Sequence, residues 1–509
     1  MIWHIIKREL FDHINSLRFI LTVVILSALM VTNAVVHLRT HSERVRNYSK
    51  NVTESLNTLK SRTQLYALAE KGPGNLHKRP SALAFIADGG NAYLPGHTPK
   101  SEGTWSKSGP GWKAKSNWWL SYGSANPDEG DLRPQATKID WVFIITYLLS
   151  FIPLLFTFDA LSGERQQGTL RLCLANPISR PVLLIGKFLG TLITVLIPFV
   201  FAVLLNLAVI STDNWTQLST ADWGRLGLVL LIAFGYAGIF VGLGLMVSAG
   251  TREPRISLVV LLLIWVATVI FMPSTLGTLS TKWMPPVQTI DQFHASRDAA
   301  LGQIDADYND RLNAIKEKKT PNLPSLSELQ KLFETDPEAA RAEAEKYMAA
   351  WETEGDEELA LKAELVNRDI ETRERLNREY LDAQIVQVQR ARVVTRFSPA
   401  AIVQYALESM AGTGFNRHLQ YLERVHDYTK QFRQFIVETD RADMQSRHLI
   451  GIPEGMSEKP FSSEAIPKFE DKIAFSDTFN TATLDLLLLV LLLGVFFSGA
   501  FLIFVRSEV

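Results

Sequence analysis

The stretch LSGERQQGTL, residues 161–170, gathers hydroxyl, amide and charged side chains around two glycines. Loops of this composition cradle phosphate, so nucleotide chemistry is the first reading to test. Hydrolysis of a nucleoside triphosphate needs a G-x-x-x-x-G-K-[ST] loop, and the chain contains none. Its nearest pair, Gly186-Lys187, runs into Phe188, and no apolar run ending in Asp-Glu follows to hold magnesium. No residue is therefore assigned a catalytic role. His37 and His41 have the i, i+4 spacing of a metal pair, but no HExxH, CxxC or tight His/Asp/Glu cluster supports them. They read as surface or capping histidines, and no metal site is expected.

What positions these residues is a set of apolar runs. The chain has 509 residues, a formal net charge of −1 and 47% hydrophobic residues. No basic excess points to nucleic acid. Apolar residues collect at 19–36, 141–158, 188–210, 226–249, 256–276 and 484–505. Each approaches the ~20 residues that cross a bilayer, so the expected fold is an all-α membrane protein with six transmembrane helices. The first run could be a signal-peptide core, but its leader is long and carries Glu9 and Asp12. Residues 1–18 instead place Ile2, Ile6, Leu10, Ile14 and Leu17 on one helical face, as an amphipathic interface helix would. Asp485, at the mouth of the last run, is expected to reach water.

Orientation follows from Lys and Arg near the spans: Lys7, Arg8 and Arg18, then Arg165, Arg171, Arg180 and Lys187, then Arg252 and Arg255, then Arg506. This pattern places both termini and the loop 159–187 in the cytosol, with 37–140 and 277–483 outside. Trp141, Trp215, Trp223 and Trp283 fall near the outer span ends, as an interfacial aromatic belt would. The single cysteine, Cys173, is then cytosolic, so the outside segments fold without disulfides.

The first outside segment opens with a polar helical stretch, 42–71, and continues rich in Gly, Pro, Ser and Trp without periodicity. Trp105, Trp112, Trp118 and Trp119 read as packing or bilayer-surface residues, with ligand binding as the alternative. In the second, Leu301, Ile304, Tyr308, Leu312 and Ile315 mark one helix face, and Pro321 and Pro324 break it. A helix without Gly or Pro covers 356–394, with Leu359, Ala363, Val366 and Ile370 along one side. Together they predict a helical hairpin or stalk beyond the fifth span.

Two motifs carry a family resemblance. DALSGERQQGTLRLCLANPISRPVLLIGKFLG, residues 159–190, is similar to the cytosolic loop of ABC-2-type transporter permeases. Their pattern is D-x-x-x-G-E-[RK]-x-x-G-T-L, a leucine-rich turn, P-[VI]-S-R and a lysine. Here it is met by Asp159, Gly163, Glu164, Arg165, Gly168, Thr169, Leu170, Pro177, Ile178, Ser179, Arg180 and Lys187. A second stretch, from Arg396 to Phe432, resembles the SPA…AGT…H…Y pattern of a large-loop subgroup related to gliding-motility and copper-site-maturation permeases. Ser398, Pro399, Ala400, Ala411, Gly412, Thr413, His418 and Tyr428 carry it. The resemblance implies a non-catalytic permease subunit of an ATP-driven exporter in a bacterial inner membrane. It implies two copies of a separate ABC ATPase subunit that hold ATP and magnesium, a second permease of the same or a related chain, and membrane lipid around them. This chain itself is expected to bind no cofactor, and its outside segments could take a partner protein.

Within the loop, Gly168 allows a tight turn after Glu164 and Arg165. Thr169 is placed to cap a short helix that Pro177 ends. Leu170, Leu172 and Leu174 offer apolar knobs, and Arg171 and Arg180 charge, for docking in a groove of the ATPase subunit. Asn33 and Asn206 are candidates for the transport route or for packing between helices. Gly235, Gly238, Gly242 and Gly244 read as close helix contact. The alternative is a non-transporting scaffold or force-transmitting subunit, which would recruit no ATPase. An intramembrane enzyme would need paired ionisable residues within the spans, and none is evident. The orientation is testable with a membrane-impermeant thiol reagent on intact cells. Ser108→Cys and Lys346→Cys should label, and native Cys173 only after permeabilisation; labelling of Cys173 from outside would reverse the topology.

Overall fold

The computed structural model describes residues 2–88, 94, 96–98, 100–101, 117–121, 139–175, 179–213, 218–282, 287–319, 326–352 and 355–506. In chain order the membrane half contains α1 (Ile2–Ile14), α2 (Leu17–Lys60), α3 (Leu65–Lys71), α4 (141–157), α5 (Thr169–Ala175), α6 (Arg180–Ile210), α7 (Thr220–Gly250) and α8 (Pro254–Ser280). There follow α9 (Ile290–Lys319), α10 (Leu326–Thr335), α11 (Pro337–Glu352), α12 (Asp356–Thr395), α13 (Pro399–Ala411), α14 (Gly414–Arg441) and α15 (Phe475–Arg506). Six of these, α2, α4, α6, α7, α8 and α15, are long and apolar enough to cross a membrane. The chain is an all-α membrane protein. Strand among the described residues is limited to two-residue pairings such as Leu76–His77 with His97–Thr98.

The apolar runs set where the spans lie, but not where their helices stop. No Gly or Pro interrupts Leu17–Lys60, so α2 continues for 44 residues, far past its apolar part. α7 is apolar all round and sits at the centre of the bundle, as such a helix must. A Cβ on Gly244 would come 1.8 Å from the Thr157 hydroxyl, so α7 and α4 touch through backbone there. Gly238 and Gly242 face α15. Gly235 faces open space within 4 Å, so the packing role expected of it does not hold.

Several positions depart from expectation for physical reasons. Trp141 is fully buried, edge-on to Phe85 at 5.4 Å, and so belongs to the core rather than to an interfacial belt. Trp223 is exposed, while Trp215 and Trp283 lie outside the described residues. Asp485 does not reach water: it is completely buried, and Arg396 donates to it at 2.6 Å. His37 and His41 are buried and stacked at 4.6 Å, not on the surface. Trp118 packs on Phe432 beneath Arg433, and Trp119 lies under Arg373 at 4.7 Å, both as packing residues. Trp105 and Trp112 are outside the described residues.

The largest departure is α13. It does not stand apart from the spans, as the expectation for 277–483 required. Ile402, Val403, Ala406, Leu407 and Met410 are buried in the same cluster as the span residues Tyr236, Phe240 and Leu489. Thirteen residues are too few to cross, so the helix closes one end of the bundle instead. Beyond it, α9 and α12 form an antiparallel pair. Phe293 stacks on Tyr380 at 4.4 Å at one end, while Asp307–Arg368 and Arg311–Glu364 bridge at 2.7 Å further along. Exposed ion pairs contribute only ~0–1 kcal/mol each, so buried Leu301, Ile304 and Leu312 hold the hairpin.

The α4–α7 contact leaves no room for a methyl group. Gly244→Ala should lower the thermal midpoint of the detergent-solubilised chain clearly, and Thr157→Gly in the same chain should restore part of the loss. A Gly244→Ala protein as stable as the parent would disprove the contact.

Candidate functional site

The loop after α4 is where chain segments from four regions meet. α4 ends in a turn at 158–161. The hydroxyl of Ser248, near the end of α7, accepts from the amides of Leu161 and Ser162 at 3.0 and 3.1 Å and donates to the Phe158 carbonyl at 3.1 Å. Arg165 reaches the same helix end and donates to the carbonyls of Ala249 and Thr251 at 3.1 and 2.9 Å. It thus satisfies carbonyls that the C-terminus of α7 would otherwise leave open.

Glu164 turns the other way. The Lys187 ammonium is 2% exposed and donates to Glu164 at 2.9 Å and to Glu9 of α1 at 2.7 Å. The close fit of α1 on α6 explains how Glu9 gets there. Gly186 and Gly190 form a small-xxx-small groove in α6, and Cβ atoms on them would lie 2.7 Å from Ile5 and 2.8 Å from Glu9. The face of α1 that docks on α6 therefore carries Ile5, Ile6 and Glu9, with Ile6 buried. Ile2, Ile14 and Leu17 of the expected stripe stay exposed, because the groove rather than the stripe decides which face docks. Burial pushes the Glu9 carboxyl up, but the His13 ring 3.6 Å away and the Lys187 charge outweigh this and hold it at about 2. Its stabilising contribution is complete above its ordinary value of 4.5 and lost as the pH falls toward about 2.

Two further arginines complete the junction. Arg18 donates to Asp159 at 3.1 Å and to the Leu155 carbonyl at 2.8 Å, fixing the start of α2 to the end of α4. Arg180 donates to the carbonyl of Val505 at 2.7 Å, fixing the start of α6 to the end of α15. Both ends of the chain are consequently on the same side of the bundle.

Gly168 has φ of +74°, a left-handed turn that favours glycine, and it aims α5 away from α4. Thr169 is the first residue of α5 rather than its cap. Its hydroxyl donates back to the Glu164 carbonyl at 3.1 Å. Leu170 is not offered to a partner. It is fully buried with Leu161, Leu184, Val241, Ala249 and Phe504. Leu172 is 70% exposed, with Arg171 exposed beside it. Residues two apart on a helix point to opposite sides, so these leucines cannot share a role. The Leu174 side chain and Pro177 lie outside the described residues.

At the other end of the bundle, the second motif consists of helix-end residues. Ser398 accepts from the Ala400 amide and donates to the carbonyl of Thr268, in the π-helical stretch of α8, at 2.7 Å. Pro399 starts α13, and Gly412, with φ of +65°, ends it. Thr413 precedes α14, where His418 is buried and the Tyr428 hydroxyl donates to the Pro467 carbonyl at 3.0 Å. Asn33 and Asn206 act as ties. Asn33 donates to the carbonyls of Phe85 and Ile139, and Asn206 to Met30 and to the Asn33 oxygen. Sequence reasoning missed Ser248, Arg18–Asp159 and the Glu9–Lys187–Glu164 clamp. The only local hint was the presence of acidic Glu9 in the leader.

The description "ABC-2 family transporter protein" belongs to a family model that matches residues 3–509. Two relatives share its character. The probable ABC transporter permease protein NosY of Pseudomonas aeruginosa is 46% identical over 55 residues, 11% of this chain and 20% of that protein. The protein of the same name from Stutzerimonas stutzeri is 38% identical over 72 residues, 14% of this chain and 26% of that one. The matched part thus spans about a quarter of those relatives or less.

The clamp makes its own prediction. Lys187→Met leaves two carboxylates facing each other without a cation, a change that costs about 3–5 kcal/mol when such pairs are buried. It should lower the melting midpoint and open the α1–α2 junction to protease. Adding Glu9→Gln and Glu164→Gln should recover most of the loss. Unchanged stability with a protected junction would show that α1 is anchored elsewhere.

Proposed function

Because this chain belongs to the ABC-2 family of transporter proteins, we propose that it is the permease subunit of an ATP-driven exporter, moved by ATPase subunits that dock on α5. Family membership implies a non-catalytic membrane subunit and an ABC ATPase partner. The finer reading rests on one observation. α5 sets Leu170 among the span ends and leaves Leu172 and Arg171 exposed on its opposite side. A partner that grips the exposed side moves a helix whose inner side is packed on α6, α7 and α15.

In this reading two ATPase copies carry ATP and magnesium, and this chain binds no cofactor. A second permease, the same or related, completes the complex in a bacterial inner membrane. Both termini are cytosolic, in keeping with Arg18, Arg165, Arg171, Arg180 and Lys187 at that end of the bundle. The cargo leaves toward the side of α9–α14. Asn33 and Asn206 serve packing rather than the route, because their amides are occupied by carbonyls and by each other.

Leu172→Asp places a carboxylate in the proposed contact, where desolvating it unpaired costs several kcal/mol. Co-purification of the ATPase should fall at least tenfold while the permease still folds. Leu170→Asp should instead destabilise the permease itself. Glu164→Ala should keep the complex assembled and impair transport. Normal ATPase recruitment and transport by Leu172→Asp would move the docking site away from α5.

A further inference from the structure

Past its apolar part, α2 forms one wall of a cavity of 360 Å³. Residues 77–84, the Leu94, Gly96 and His97 segment, and the turn between α13 and α14 with Arg417 form the others. Its walls carry Arg44, Lys78, Arg79 and Arg417, and no carboxylate among the described residues. The acids that pair with two of these cations, Asp88 with Arg44 and Asp471 with Arg417, are not wall residues. Lys78 and Arg79 have no ion pair among the described residues.

Arg417 is the most informative member. It is 4% exposed, and only one end of its guanidinium meets Asp471. Its Nε and Nη1 are buried without an acceptor among the described residues. Leaving charged donors unsatisfied is costly, and each of these N–H groups is suited to an anionic oxygen such as a carboxylate or phosphate offers. The field of the cluster is felt by its neighbours. Burial and the Arg417 charge push the Lys78 ammonium down to about 8, and burial with Lys78 and Arg417 pushes His418 to about 3. An anion in the cavity would relieve both.

We propose that this cavity binds a phosphate group, carried either by free phosphate or by an anionic lipid headgroup. Four cations around one space suit a group with several oxygens and more than one charge better than a single carboxylate. Their arrangement also gives a use to the second motif. Gly412 and Thr413 line the cavity, and the left-handed turn at Gly412 brings Arg417 to it. The volume falls within the ~300–1,000 Å³ of small-molecule sites, so the phosphate can carry a substituent. Residues 41–51 of α2 lie about 7–22 Å past residue 36 at ~1.5 Å per residue, so the near edge of the cavity is at headgroup depth.

The test needs only this chain, so it stands or falls separately from the ATPase contact. The full-length protein in phosphatidylcholine nanodiscs is titrated with inorganic phosphate by calorimetry. In nanodiscs that also contain phosphatidylglycerol, retained lipid is read by native mass spectrometry. Lys78→Gln with Arg79→Gln removes two unpaired cations, and an unchanged melting midpoint checks the fold. The wild type should bind at least one of the two probes, and the double substitution should weaken that binding at least tenfold. Loss of phosphate binding supports a free ligand, and loss of phosphatidylglycerol retention supports a lipid. Binding of neither probe, or binding that the substitution leaves unchanged, overturns the proposal. Arg417→Lys, which keeps the charge but loses the guanidinium N–H donors, should give an intermediate affinity; an affinity equal to wild type would rule out the guanidinium contact.

Discussion

One buried ammonium organises the end of the bundle where the chain begins and ends. Lys187 brings together a carboxylate from α1 and one from the loop after α4, and itself belongs to α6. Removing a charge from water is expensive, and the cost is recovered only when geometry and hydrogen bonds are good. Such a cation therefore enforces one arrangement of its partners. The Gly186–Gly190 groove, the turn at Gly168 and the burial of Leu170 all depend on α1, α4 and α6 holding that arrangement.

Comparable ties recur along the spans. Lipid gives little hydrophobic reason for one apolar helix to prefer another, so close contact and polar bonds must choose the neighbours. Asn206 selects α2 through Met30 and Asn33. Asp485 selects the end of α12 through Arg396, and Ser398 selects the π-helical stretch of α8. Gly244 lets the α7 backbone approach Thr157 of α4 closely. The bundle is thus specified at a few points spread from end to end, with ordinary apolar packing between them.

These points also mark the boundary of what could be read in advance. Runs of about 20 apolar residues have essentially one physical outcome, so the spans were legible. α13 was not, because a mostly apolar helix of 13 residues looks the same in a buried cap as in a soluble domain. Lys187 was readable as a charge near a membrane face, but its carboxylates are 178 and 23 residues away. Asp485 looked solvated because Arg396, 89 residues earlier, is invisible locally. In α5 the motif was recognisable, yet treating its leucines alike overlooked the 200° between positions 170 and 172 that a helix imposes at ~100° per residue. The cationic cavity was the least accessible, being assembled from four separated segments.

The unbroken length of α2 has a mechanical consequence. At ~1.5 Å per residue it is a rod of about 66 Å. Its start is pinned to α4 by Arg18, its middle to α6 by Asn33 and Asn206, and its far part forms a wall of the cavity lined by Arg417. A rod pivoting at its middle exchanges motion between its tips in opposite directions. A rotation of ~5° about that pivot displaces each tip by about 3 Å, roughly the length of one hydrogen bond. Small adjustments at the charged junction below are therefore delivered, undamped by any hinge, to the basic chamber above.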